Sequence, residues 1–187
     1  MPRSTSGHAL LFWPIVVVLV FADRITKSVA EELLWPRGVP QAVFGDWFRW
    51  TLVYNPGAAF GLHLGPYSRW IFLALTVGAL GILFHLYRTT EAGQRWRAIA
   101  IGLVTAGAIG NLIDRIVSPN GVVDFIDIGL GDLRWPTFNV ADMAVSTGAI
   151  LLAAVLWRED ESAEASRVGG AASVGAAAVG ESERVRS

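Results

Sequence analysis

The chain of 187 residues is 53% hydrophobic and only 17% charged, against about 45–50% and about 25% in average soluble domains. The absence of cysteine excludes disulfides, thiolate metal sites and cysteine nucleophiles, and a net charge of −1 without a basic run offers nucleic acid no electrostatic footprint. His8, His63 and His85 are scattered and form no H-E-x-x-H pair, so a histidine-ligated zinc hydrolase is disfavoured, and neither metal nor cofactor is expected.

Four long apolar runs follow one another: residues 9–29, 70–86, 98–113 and 140–157. Each approaches the roughly 20 residues that a helix needs to cross a bilayer core. The first could be read as a cleaved signal peptide, with Arg3 before it and Val20-Phe21-Ala22 as cleavage site. Three further runs favour a polytopic membrane protein that keeps its first helix. Arg88, Arg95 and Arg97 crowd the link between the second and third spans, whereas Arg37 and Arg49 are spread over the long first loop. That asymmetry puts the link and both termini (1–8 and 158–187) in the cytoplasm. Trp35, Trp47, Trp50, Trp70 and Trp135 would mark the outer interface and Trp96 and Trp157 the inner one, leaving Trp13 for packing.

The polar residues of the spans cluster at particular ends. Asp23, Arg24 and Lys27 end the first span, Asn111, Asp114 and Arg115 end the third, and Asn139 and Asp142 begin the fourth. In an alternating bundle these ends lie on one side of the membrane, together with both long loops and their Asn55 and Asp124. Ionisable groups at membrane depth are costly unless paired, so their convergence marks a functional site. In the first loop, Trp47 to Tyr54 reads as one or two strands, closed by the turn Asn55-Pro56-Gly57 before Ala58-Ala59-Phe60-Gly61. The second outer segment, Val117 to Trp135, reads as an interfacial loop or helix. After Trp157 the composition turns to Ala, Gly, Ser, Val, Glu and Arg, which reads as a disordered tail over 158–187.

Which of these groups could do chemistry is partly open. Asn111, Asp114 and Arg115 share a helix face, and Asp114 with Arg115 can equally be a structural pair capping the span. Asp23 and Lys27 are spaced i, i+4 as a structural pair; Lys27, the single lysine, could also serve as base in a Ser and Lys peptidase, although no serine stands out as nucleophile. Asp124 and Asp142 have no obvious cationic partner. Two carboxylates meeting at a membrane surface can share one proton and activate water against a peptide bond, but a solvated Asp124 and a helix-capping Asp142 would look the same. If they do meet, the helix dipole favours the anion at Asp142 by about 0.3–1 kcal/mol, while apolar neighbours favour the neutral form of Asp124. Gly129-Leu130-Gly131-Asp132 has the G-x-G-D form of presenilin-like proteases but reads as an ordinary turn.

Asp23-Arg24-Ile25-Thr26-Lys27, Asn55-Pro56-Gly57-Ala58-Ala59-Phe60, Gly110-Asn111-Leu112-Ile113-Asp114-Arg115, Val122-Val123-Asp124-Phe125 and Phe138-Asn139-Val140-Ala141-Asp142 together resemble, in order, the motifs of the bacterial lipoprotein signal peptidase family, signal peptidase II. The resemblance covers roughly Leu10 to Trp157. It implies a four-helix membrane α-fold with a small extracytoplasmic β platform, and an aspartyl endopeptidase of the bacterial inner membrane. Such an enzyme removes signal peptides from diacylglyceryl-modified prolipoproteins on the amino side of the lipidated cysteine. It also implies Asp124 and Asp142 as the catalytic dyad, and Asn55, Gly57, Asn111, Asp114, Arg115 and Asn139 as dyad support or as contacts to substrate and globomycin-type inhibitors. Asp23 and Lys27 become its structural pair, and Arg24 falls at a variable position of its motif. The expected partners are the lipidated precursor and membrane lipid, around a monomer. A reading from another class is a small proton-coupled transporter or channel using the same acids, but such sites usually lie at the bilayer midplane between repeated halves, and no repeat is visible.

Overall fold

The computed structural model describes residues 6–57 and 65–184; Ala58 to Gly61, and His63, lie outside this range. Helix α1 (Ser6–Leu33) leads into strands β1 (Gln41–Phe44) and β2 (Phe48–Asn55); α2 (Ser68–Thr89) and α3 (Arg95–Val117) follow, then β3 (Val122–Leu130), β4 (Leu133–Arg134) and α4 (Val140–Arg184). Among the described residues, four helical stretches are long and apolar enough to span a bilayer: 7–33, 68–89, 95–117 and 140–162. Their outer faces carry exposed Leu10, Val18, Phe21, Leu75, Ile82 and Ile150. In lipid such faces need no burial, because the helix satisfies its own backbone polar groups.

Helix α3 is the centre of the bundle and packs against the other three. Its small residues make that possible. A Cβ added at Gly107 would come within 2.2 Å of the Ala141 carbonyl oxygen, and one at Gly148 within 2.7 Å of Val104, so α3 and α4 approach backbone to backbone. One apolar cluster, Phe12, Val16, Leu83 and Ile101, fills the bundle, and another, Ala30, Leu34, Leu52, Val123 and Phe125, joins the end of α1 to the sheet. Trp13 is not internal packing: it stands on the outer stripe of α1, 55% exposed, with its edge against Phe12. Trp50 is not an interface residue either, since it is half-buried against Phe125. The remaining six tryptophans are exposed.

The sheet is antiparallel in the order β1-β2-β3-β4. Its third strand corrects the expectation of an interfacial loop or helix after Val117. Val122 to Leu130 alternates, with Val123, Phe125 and Asp127 on one face and Asp124 and Ile128 on the other. The interspersed acids disguise a strand that pairs with β2 from the first loop, Val53 opposite Asp124 and Asn55 opposite Val122. Gly121 permits this closure: its φ is +107°, and a Cβ there would meet the Asn55 carbonyl oxygen at 2.3 Å. Gly131 and Asp132 form the β3–β4 turn, so the G-x-G-D sequence is hairpin chemistry.

Helix α4 also departs from expectation, continuing as helix from Trp157 to Arg184 where a disordered tail was expected. Alanine, glutamate and arginine are strong helix formers, and in the absence of a proline the turn begun in the span propagates. At the start of this extension Glu159 accepts hydrogen bonds from Gln94 (2.9 Å) and Arg97 (3.0 Å), clamping α4 to the beginning of α3.

Candidate active site

The C-terminal ends of α1 and α3 and the N-terminal end of α4 meet beneath the sheet, and their polar residues join into one buried network. Lys27, fully buried, ion-pairs with Asp23 and Asp114 at 2.8 Å each and donates to Asn111 Oδ1 at 3.0 Å. Three acceptors use the three donors of the ammonium, so Lys27 has no lone pair with which to act as base. Asp23 reaches across to α4, accepting the Ala141 N–H at 2.9 Å. It fits there because residue 110 is glycine: a Cβ would lie 2.6 Å from Asp23 Oδ2.

Asp114 does not pair with Arg115. Adjacent residues on a helix point about 100° apart, and Asp114 turns inward to Lys27, to Arg24 Nη1 at 2.5 Å and to the Val123 N–H at 3.2 Å. Arg115 instead lines the cleft, bonded to the Asn111 carbonyl at 3.2 Å. Arg24 is therefore a working member of the network rather than a variable bystander. Arg69, which no motif signalled, closes the end of α3 by donating to the carbonyls of Arg115 (2.5 Å) and Ile116 (2.8 Å), two groups that the helix itself leaves unsatisfied.

Asp124 and Asp142 both line a cleft of about 790 Å3 at this end of the bundle, together with Asn55, Gly57, Asn111 and Arg115. Its apolar walls are Val53, Ile128, Trp135, Phe138 and Met143. Asn139, buried, bridges the two acids: its Nδ2 donates to Asp124 Oδ1 at 2.7 Å, while its backbone N–H donates to Asp142 Oδ2 at 3.2 Å. Asp124 Oδ2 accepts from Asn55 at 3.2 Å and Asp142 Oδ1 from Asn111 at 2.7 Å. Neither carboxylate is solvated on its own, nor is Asp142 merely a helix cap. Burial, reinforced by the charge of Asp142, pushes the Asp124 carboxyl up to about 7 against the pull of the Asn55 and Asn139 amides and of Lys27. Thus Asp124 holds its proton where an ordinary carboxyl is ionised.

The far face of the sheet behaves oppositely. At Asp127, burial works upward but is outweighed by Arg134 at 2.7 Å, Thr51 at 2.8 Å and Arg49 at 3.3 Å, which hold its carboxyl below the usual range. Among the described residues no group of three His, Cys, Asp or Glu is placed to hold a metal ion.

Four membrane-spanning helices capped by a small sheet, with two linked carboxylates in a cleft at one end, define a polytopic membrane protein with the makings of a hydrolase. Residues 15–158 match the family described as signal peptidase (SPase) II, and the chain belongs to that family. It is similar to a lipoprotein signal peptidase of Burkholderia mallei (strain SAVP1), 38% identical over 152 residues that make up 80% of this chain and 89% of the relative. A lipoprotein signal peptidase of Pseudomonas paraeruginosa is 38% identical over 161 residues, 82% and 92% of the two chains. Two solved chains described as a bacterial membrane enzyme superpose with TM-scores of 0.68 and 0.66 at 31% and 32% identity. They cover 78% and 76% of this chain and are themselves covered to 87% and 89%. The protein is a peptidase of the membrane, and the transporter or channel reading has no support.

Proposed function

We propose that this peptidase is an aspartic endopeptidase that removes signal peptides from diacylglyceryl-modified prolipoproteins, cutting on the amino side of the lipidated cysteine. The observation that carries the reading is the pair Asp124 and Asp142, which line one cleft and are joined through Asn139. The names of the relatives supply the substrate class.

Asp142, whose two oxygens both accept N–H groups, is the carboxylate that takes a proton from water. The water oxygen attacks the scissile carbonyl carbon while neutral Asp124 delivers its proton to the carbonyl oxygen. The resulting tetrahedral diol collapses: Asp142 returns its proton to the cysteine nitrogen, one diol hydroxyl gives its proton back to Asp124, and the C–N bond breaks to leave a carboxyl and an amine. Asn55 and Asn139 steady Asp124, Asn111 steadies Asp142, and Arg115 and the Asn55-Pro56-Gly57 turn line the path of the substrate backbone. The apolar walls suit a signal peptide and its lipid, and the same cleft takes globomycin-type inhibitors.

The site lies near the outer leaflet of the bacterial inner membrane with both termini cytoplasmic, since Arg88, Arg95 and Arg97 mark the opposite end. The enzyme works as a monomer, needing only lipid and precursor as partners. The test is cleavage of a lipidated precursor by purified protein in detergent. Asp124→Asn and Asp142→Asn should each abolish it while the protein stays folded, and near-normal turnover by either would end the dyad assignment.

A further inference from the structure

Every asparagine amide that reaches the dyad is held the same way round. Asn55 Oδ1 accepts the Gly57 N–H at 3.0 Å, Asn139 Oδ1 accepts the Asp142 N–H at 2.9 Å, and Asn111 Oδ1 accepts from Lys27 Nζ at 3.0 Å. A backbone N–H and an ammonium can only donate. Each amide oxygen is therefore committed to its lock, and each NH2 is left for a carboxylate: Asn55 and Asn139 for Asp124, Asn111 for Asp142. Two of the locks are main chain, which no side-chain change removes. The third is Lys27, whose own ion pairs go to Asp23 and Asp114; Asn139 Nδ2 also reaches Asn111 Oδ1 at 3.1 Å, but its two hydrogens are shared with Asp124 at 2.7 Å and the Val123 carbonyl at 3.1 Å.

We infer that Lys27 is a positioning residue of the peptidase: by holding Asn111 Oδ1 it fixes which face of that amide meets Asp142. The inference rests on the dyad reading above. Without Lys27 the Asn111 oxygen keeps only the shared Asn139 N–H, so the amide turns its oxygen toward the Asp142 carboxylate more readily, and two acceptors then face each other in a buried site. The anionic dyad loses a donor, and the pair takes up its second proton more readily. The charged groups around it are Lys27, with Asp23 and Arg24 behind it, from α1, and Arg115 and Asp114 from α3; β2 contributes the neutral Asn55 and the phenol of Tyr54, which lines the cleft and donates to Glu31 at 2.8 Å. The dyad's own acids come from β3 and α4.

Because Lys27 also neutralises Asp23 and Asp114, the experiment uses a D23N background, in which loss of Lys27 leaves Arg24 paired with Asp114 and no carboxylate uncompensated. D23N/K27M and D23N/K27Q carry the same charge and differ in whether residue 27 can donate. Relative to D23N, D23N/K27M should raise the acid limb of kcat/KM by about one pH unit, with kcat lowered and KM held, and D23N/K27Q should recover part of that shift. Equal limbs in the two double variants would show that charge alone matters and would overturn the inference, as would a limb that K27M leaves in place. If the double variants do not assemble, Asn111→Leu keeps every charge yet cuts the route from Lys27 to Asp142. It must raise the limb similarly, and an unmoved limb overturns the inference. An infrared titration of the carboxyl bands lost in D124N and D142N reads the same shift without turnover. A band that moves with K27M while D142N still cleaves would uphold the lock and sink the aspartic mechanism.

Discussion

Asn139 and Asp142 cap each other across the first turn of α4: the Asp142 N–H donates to Asn139 Oδ1 at 2.9 Å and the Asn139 N–H to Asp142 Oδ2 at 3.2 Å. This is the reciprocal arrangement of a capping box, with one of its two side chains serving as a proposed catalytic acid. The fold therefore stabilises the helix and orients the carboxylate with the same two hydrogen bonds.

Asn139→Ala should separate these roles. Loss of the cap costs about 1 kcal/mol, and loss of the amide on Asp124 and on the buried Val123 carbonyl adds about 1–3 kcal/mol. Activity should fall far more than the lowered Tm explains. A variant whose activity simply tracks its folded fraction would mean that Asn139 is only a cap.

The raised Asp124 carboxyl, at about 7, makes two statements about pH. For stability, the folded protein keeps this proton while the unfolded chain releases it near 3.8, so Asp124 makes stability fall as pH rises between those values. D124N should lack that slope in a Tm series from acid to neutral pH. For catalysis, kcat/KM should be bell-shaped, with an alkaline limb near 7 that belongs to the pair rather than to one residue. A rise to a plateau without a descent would indicate a single general base.

Asp127 predicts the opposite sign. Its carboxyl is held down by Arg134, Thr51 and Arg49, so its contribution is full above the ordinary carboxyl range and is lost as pH falls through the depressed value. D127N should lower the Tm at neutral pH, by the equivalent of about 1–3 kcal/mol. The two proteins should converge in strong acid. A gap that persists at low pH would show that packing, not charge, is what the substitution removes.

Gly107 and Gly102 lie on the same helix and should respond differently to alanine. At Gly107 the new Cβ meets backbone at 2.2 Å, and α3 and α4 must separate, at a cost of about 1–3 kcal/mol. At Gly102 its nearest neighbours are 3.4 Å away or more, so the gain in helix propensity leaves G102A neutral or slightly stabilised. Thermal unfolding in detergent compares them directly, and equal Tm values would contradict the close α3–α4 approach.

The sequence made the four spans, the shared end of Asp23, Asn111 and Asp142, and the turn at Asn55 readable, because apolar length and alternating topology need no knowledge of packing. It did not show that Arg24 meets Asp114 across 90 positions or that Arg115 turns away into the cleft. Those depend on how one helix is rotated against another, which buried contacts decide. Strand β3 was missed for a different reason: Asp124 and Asp127 interrupt its apolar alternation, one facing the cleft and one its arginines. Arg69 carries no motif, since a side chain that closes a helix end needs only reach.

The site draws on every quarter of the chain: Lys27 before the first strand of the sheet, Asn55 at the end of β2, Asn111 in α3, Asp124 in the strand after it and Asp142 in α4. During synthesis the first four can be in place while the carboxylate of the fifth is still on the ribosome. Until α4 enters the bilayer, Asn111 has no acid to hold and Asp124 no partner to share a proton with. On the proposed dyad mechanism the nascent protease is thus silent through its own insertion, and proteolytic competence arrives in a single late event, with α4.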